Sequence, residues 1–347
     1  MRRLGWSVAC AMTLFAITTT IGAQPSSLEM RPIATIDFYG QKTLDTEALR
    51  KALPIHEGDL VSRGDGARLT PTVRAALVGQ PHLRDTRLDF ICCAEGGGVH
   101  VFVGVQEDGT PEVHFRPAPT GAVRLPAQLV AHGRAVDRAL MEAISQGHSA
   151  EDDSQGYSLL TQARAGRALQ EQNLALAARN LHILRRVLRE SADTEQRAMA
   201  ARYLGYAPDR QAVVNDLVRA MTDSDPGVRN DAMRALMVFS RSRIPPPIPY
   251  QAFVGLLDTP TWTDLNKSSF VLMELSSTRN PRLLDLLRKR SMPVLSAMAH
   301  WRDRDHSQPA YWMLGRIAGL SDQEIQDRWD RADAEGVIAA ALKRRAD

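Results

Sequence analysis

Asp225-Pro226-Gly227-Val228-Arg229-Asn230-Asp231-Ala232-Met233-Arg234-Ala235-Leu236 is the stretch on which the fold turns. An aspartate such as Asp225 accepts hydrogen bonds from the free N–H groups of a helix's first turn, and Pro226 fills the first helical position, where no donor is needed. The spacing predicts a helix starting there, with Val228, Ala232, Ala235 and Leu236 on one face. Its alanines let a neighbouring helix come close. Thirty-two residues earlier the same pattern stands as Asp193, Arg197, Ala200 and Leu204. Self-similarity at this period marks stacked helical units, each burying an apolar face on the next.

The echo extends outward on both sides. Ile183 to Leu188 aligns with Asp216 to Met221, so a first helix precedes each capped one. A third unit is expected at Tyr250 to Ser276, with Phe253 to Leu257 and Phe270 to Leu275 as its helices. There Trp262 and Lys267 stand near the cap and arginine positions. A fourth is expected at Pro281 to Gly315, and a terminal cap at Ser321 to Arg345, opened by a Ser321/Glu324 capping box. Ile244 to Pro249 reads as an extended connector.

The pattern Asp-Pro-x-Val-Arg-x-x-Ala-x-x-Ala-Leu resembles the second helix of the short HEAT-type repeat common in bacteria, and its two clear copies cover about 180 to 240. An unrelated all-helical bundle is the alternative. The resemblance implies an α-solenoid that works through its surface, with Arg197, Arg229 and Asn230 as candidate binding residues on a concave face. The arginines have a structural reading as well: Arg229 lies one turn from Asp225 and could pair with it or with Asp193 of the adjacent unit.

The patterning of residues 31–107 differs. Ile33 to Phe38 alternates as a strand, Thr46 to Leu53 and Gly66 to Val78 read as helices, and Leu83 to Ile91 and Val99 to Gln106 read as strands joined through Glu95-Gly96-Gly97-Gly98. This β-α-α-β-β order, with Ile36-x-Phe38-x-Gly40, Ile55-x-x-Gly58-Asp59 and Val101-x-Val103-x-Val105-x-Glu107, resembles a POTRA domain; a generic mixed domain is the alternative. The resemblance implies a module of the bacterial envelope that binds polypeptides, often by adding a strand to its sheet edge. Asp108 to Pro126 is rich in proline and glycine. Helical patterning resumes at Val136, so 108–135 is expected to be a semi-rigid linker and 136–347 the helical repeats.

Met1-Arg2-Arg3, an apolar run to about Gly22 and a small residue at Ala23 have the parts of a secretory signal peptide spanning 1–23. Export to the periplasm is the expectation. An uncleaved inner-membrane anchor is the alternative, weakened by Thr18 to Thr20 within the run. Removing Arg2 and Arg3 lowers the formal charge from +3 to +1, which disfavours nucleic acid as a partner. Arg185, Arg186 and Arg189 could form a basic stripe, though a solvated face beside acidic neighbours explains them better.

Cys92 and Cys93 stand side by side in a chain expected to meet oxidising conditions, either as a vicinal disulfide or as two free thiols. His300 to His306 gathers two imidazoles with Asp303 and Asp305, and Asp152-Asp153 lies near His148, yet neither has metal-ligand spacing. HExxH, G-x-S-x-G, phosphate-loop and dinucleotide signatures are missing from the sequence. The expectation is therefore an exported, noncatalytic adaptor: an α+β POTRA-like domain followed by an all-α HEAT-like solenoid. It would bind protein partners in the cell envelope, with no cofactor, metal, nucleic acid or small-molecule substrate. The rivals are a secreted hydrolase or metal-dependent enzyme, and a membrane-anchored envelope assembly factor.

Overall fold

The computed structural model describes residues 30–344 apart from 63–64, 93, 95–96 and 111–112. Its first part runs β1 (Arg31–Tyr39), α1 (Thr46–Ala52), β2 (Leu60–Val61), α2 (Asp65–Leu77), β3 (Leu83–Cys92) and β4 (Val99–Glu107). The sheet order is β2-β1-β4-β3, with β1 parallel to β4 and the other two pairings antiparallel. Period-two alternation in β4 sorts its side chains cleanly. Val99, Val101, Val103 and Val105 join Leu49, Leu69, Val73 and Leu77 of the two helices in one core. Glu107 ends the strand and accepts from Thr43 N (2.9 Å), Leu44 N (3.2 Å) and Thr43 Oγ1 (2.6 Å), which fixes the loop leading into α1.

The opposite face of the sheet is covered by the second part of the molecule. That part runs α3 (Ala127–Ser145), β5 (Glu151–Asp152), β6 (Leu159–Leu160), α4 (Arg164–Glu190), α5 (Thr194–Leu204), α6 (Arg210–Ala220), α7 (Pro226–Arg241), α8 (Gln251–Leu256) and α9 (Trp262–Ser276). It continues with α10 (Pro281–Arg290), α11 (Met292–Ala299), α12 (Arg304–Ala318), α13 (Asp322–Asp330) and α14 (Ala334–Lys343). The helices α5, α7, α9, α12 and α14 pack one on the next in that order. Their starts follow the cap chemistry: Asp193 accepts from Gln196 N, Asp225 from Val228 N, Asp303 from Asp305 N and His306 N, and Asp333 from Gly336 N. The Ser321/Glu324 capping box is formed in both directions, and the terminal segment it opens is a helix pair.

Three expectations are corrected. Helix α3 begins at Ala127, inside the expected linker 108–135. Gly133 does not break it but lets α5 lie close, since a Cβ there would fall 2.5 Å from Met199 Sδ. The proline-rich segment is a strap bound along the repeat turns, not a spacer. Arg116 N donates to Thr222 O (2.7 Å), Gly121 N to Glu190 O (2.9 Å), and Leu125 N to Gln196 Oε1 (2.7 Å). The stretch expected to be helical repeats from 136 onward is interrupted between α3 and α4 by the small antiparallel ladder of β5 with β6.

The sheet also contributes to the core of the second part. Tyr39 and Phe102, from the sheet's second face, belong to the same apolar cluster as the repeats. Phe102 packs against Trp262 and Trp301 with ring centroids 5.0 and 4.9 Å apart. Trp301 Nε1 donates to Phe38 O (2.7 Å), and the Tyr39 hydroxyl donates to Pro260 O (2.9 Å) and Asp89 Oδ2 (3.0 Å). Gly104 makes room for Tyr39, because a Cβ there would sit 2.4 Å from the ring.

Candidate functional site

Arg197 and Arg229, expected on an open binding face, are 1% and 2% exposed. Each holds a carboxylate further along the solenoid. Arg197 Nε and Nη2 grip Asp223 (3.0 and 2.8 Å), and Arg229 Nε and Nη2 grip Asp264 Oδ2 (2.9 and 2.7 Å). The remaining donors meet backbone oxygens: Arg197 Nη1 reaches Ser191 O (2.9 Å), and Arg229 Nη1 reaches Asp223 O (2.8 Å). The strap closes the arrangement by laying the Phe115 ring 3.7 Å from the Arg229 guanidinium. Neither arginine is open to a partner, so both leave the binding set and become the ladder that locks one repeat to the next. Asp193 and Asp225, the pairing partners considered from sequence, are occupied as caps instead. At the equivalent position of α9 the arginine is replaced by Leu265.

Asn230, the third candidate, is half-buried and lines a groove of about 1100 Å³ between the strand domain and the helices. One wall is Phe90, Ile91 and Val99 with Val61. The other is Leu140, Met141 and Ile144 of α3, of which Met141 is 44% exposed. The floor is charged. Arg202 reaches Asp231 (3.0 Å) and also pairs with Asp137; Arg234 pairs with Glu151 on β5. Behind it, Arg241 holds Glu274 (2.8 Å) and Asp153 (3.3 Å). Burial works against the Arg234 charge, but Glu151, Asp231 and Asp153 together raise its pKa above the ordinary value. Lys267 of α9 opens into the same groove and has no hydrogen bond or ion pair among the described residues. Burial, then the nearby Arg234 charge, lowers its pKa to about 8.

Arg202 and Arg234 were not singled out from sequence, and Lys267 was noted there only as a departure from the repeat pattern. The signal for the first two was present, because Arg202 and Arg234 are also thirty-two residues apart. Strand β3, whose end supplies Phe90 and Ile91, is one of the two outer strands of the sheet, the other being the two-residue β2. The unpaired side of β3 is touched at Thr86 O by Arg74 Nη2 (3.4 Å).

The remaining sequence candidates sit elsewhere. His300 and His306 take different partners: His300 Nε2 meets Glu335 (2.7 Å), and His306 Nδ1 meets Asp303 (2.6 Å) among the Phe102 and Trp262 rings. Burial alone would lift the Asp303 carboxyl, but the His306 hydrogen bond and the His306 and His100 charges hold it below the usual range. Asp152 accepts from Ser154 N, and Asp153 belongs to the Arg241 pairing. Among the described residues no group of three or more His, Cys, Asp or Glu side chains is arranged to hold a metal ion. The basic stripe is neutralised: Arg185 and Arg189 meet Asp216, and Arg186 meets Glu190. The Cys92 backbone closes β3 opposite Val99, while Cys93 lies outside the described residues, as does the expected signal segment 1–23. No helix of the described residues is long and apolar enough to cross a membrane.

Residues 181–270 match the family model of HEAT repeats. No curated protein matches the chain. Similar solved structures include a designed armadillo repeat protein in complex with the peptide (KR)4, at 15% identity and TM-score 0.36, covering 62% of this chain and 97% of that one. Another is a set of computationally designed armadillo repeat proteins for modular peptide recognition, at 14% identity and TM-score 0.37, covering 62% and 98%. A third is an engineered protein at 18% identity and TM-score 0.36, covering 62% and 55%.

Proposed function

We propose that this protein is an exported, noncatalytic adaptor of the bacterial cell envelope that holds a polypeptide segment between its strand domain and its HEAT repeats. The observation that carries the reading is the groove: apolar on both walls, charged on the floor and continuous with the outer strand β3. Its volume of about 1100 Å³ exceeds that of most small-molecule pockets. It is also open, as a site for extended chain must be. The POTRA-like reading of the strand domain is supported by its element order, by the parallel β1–β4 pairing and by both helices lying on one face. Export and the envelope are supported by the Met1 to Ala23 pattern alone.

The reading is tested by crosslinking the chain in its native cells, capturing it and identifying attached proteins by mass spectrometry. A Met141→Arg/Ile144→Arg double variant supplies the control, since both positions are accessible enough to change without unfolding α3. We expect one or two partners that the double variant loses. Equal capture by both forms would move the partner surface away from the groove.

A further inference from the structure

We infer that Lys267 recognises a carboxylate, and that the groove's occupant is an extended segment of a partner protein in which one aspartate or glutamate is flanked by apolar side chains. The inference rests on the groove being the protein-binding site and adds the chemistry of what it takes. Its basis is the pairing on the floor. Arg202 is neutralised by Asp137 and Asp231, Arg234 by Glu151, and Arg241 by Glu274 and Asp153. Among the described residues of the groove, Lys267 is the cation with no hydrogen bond or ion pair. It is half-buried, and burial with the Arg234 and Arg241 charges works against its ammonium, which Glu151 and Asp231 support only from a distance, so a carboxylate brought into contact supplies the partner it lacks.

A single carboxylate suits the site better than a polyanion. A strand of nucleic acid entering the groove would meet Asp137, Asp231 and Glu151 as well as Lys267. The apolar walls supply what such a strand does not need: Phe90 and Ile91 on one side, and Leu140, Met141 and Ile144 on the other, can each accept an apolar side chain next to the acidic one. A charge pair formed at a half-desolvated site contributes more to specificity than one at the rim.

The chain from Gln24 onward is panned against a displayed library of random peptides. Selected peptides are then remade with the acidic residue changed to its amide, and both forms are titrated by fluorescence anisotropy. We expect the acidic form to bind about tenfold tighter, equivalent to about 1.4 kcal/mol. Lys267→Arg should keep that preference. Lys267→Met, checked by circular dichroism to be folded, should bind acid and amide forms alike. Peptides without acidic bias, or a preference unchanged in Lys267→Met, overturn the carboxylate assignment, and the groove reading then stands if Met141→Arg/Ile144→Arg still abolishes binding. Recovery of no peptide, or binding that survives the double variant, overturns both.

Discussion

The repeat carries arginine at two positions, and their fates differ. Arg197 and Arg229 stand at the fourth residue after the cap, inside the stack, with all their chemistry consumed by Asp223, Asp264 and backbone carbonyls. Arg202 and Arg234 stand at the ninth, on the floor of the groove, paired but partly open. Five residues at 100° each place the two positions about 140° apart around the helix. Both pairs share the thirty-two-residue spacing and the same residue type, so periodicity alone does not tell a lock from a surface. What separates them is the covering: the strap and the next repeat seal the first position, while the strand domain stands off from the second and leaves a cleft.

The comparison can be broken first at its sealed side. Asp264→Ala would leave the Arg229 guanidinium buried without its counter-charge. A loss of about 3–5 kcal/mol in unfolding free energy is expected from urea melts. A loss below about 1 kcal/mol would show that the ladder relaxes to water and is no more a lock than the groove arginines are. Phe115→Ala tests the strap's part in the seal. Removing the ring from the Arg229 face should cost about 1–2 kcal/mol, read in the same melts, whereas an unchanged midpoint would make the strap incidental.

Lys267 gives the smallest effect and the opposite sign. An ammonium held at a pKa of about 8 by burial and by Arg234 is a charge the fold tolerates at a cost. Lys267→Met should raise stability at neutral pH by about 1 kcal/mol, once the screening by groove water is allowed for. The unfolded lysine binds its proton more tightly than the folded one, so wild-type stability relative to the variant should rise between about pH 8 and the ordinary lysine range. A flat difference across that window would mean that Lys267 is solvated like any surface lysine.

The parts of this fold legible in sequence were those set locally. Aspartate caps, the first-turn proline and alanine spacing announced α5 and α7, and period-two valines announced β4, because a few neighbouring residues decide each. The misses all depended on partners far away. Arg197 and Arg229 looked available because the carboxylates that bury them lie 26 and 35 residues on, in other elements. Phe102 lies on the face of β4 opposite the valines, and nothing near it in sequence announces the Trp262 and Trp301 rings that cover it. Composition made a linker of Pro117, Pro119 and Gly121, although their poor helix propensity equally suits an extended strap. Lys267 was visible as a misfit in the third repeat, but its loneliness is a property of the assembled floor.

The contact of Trp301 with Phe38 O joins residues 263 apart in the chain. A ribosome releases the strand domain long before the helices that finish it, and a chain threaded outward from its N-terminus would arrive in the same order. For that interval Tyr39 and Phe102 have no apolar cover, and the sheet's second face is exposed to whatever is nearby. The segments that carry Trp262 and Trp301, at the start of α9 and between α11 and α12, therefore act as the closing step of the domain made first. A truncation that took away Trp301 would do its damage at the opposite end of the sequence.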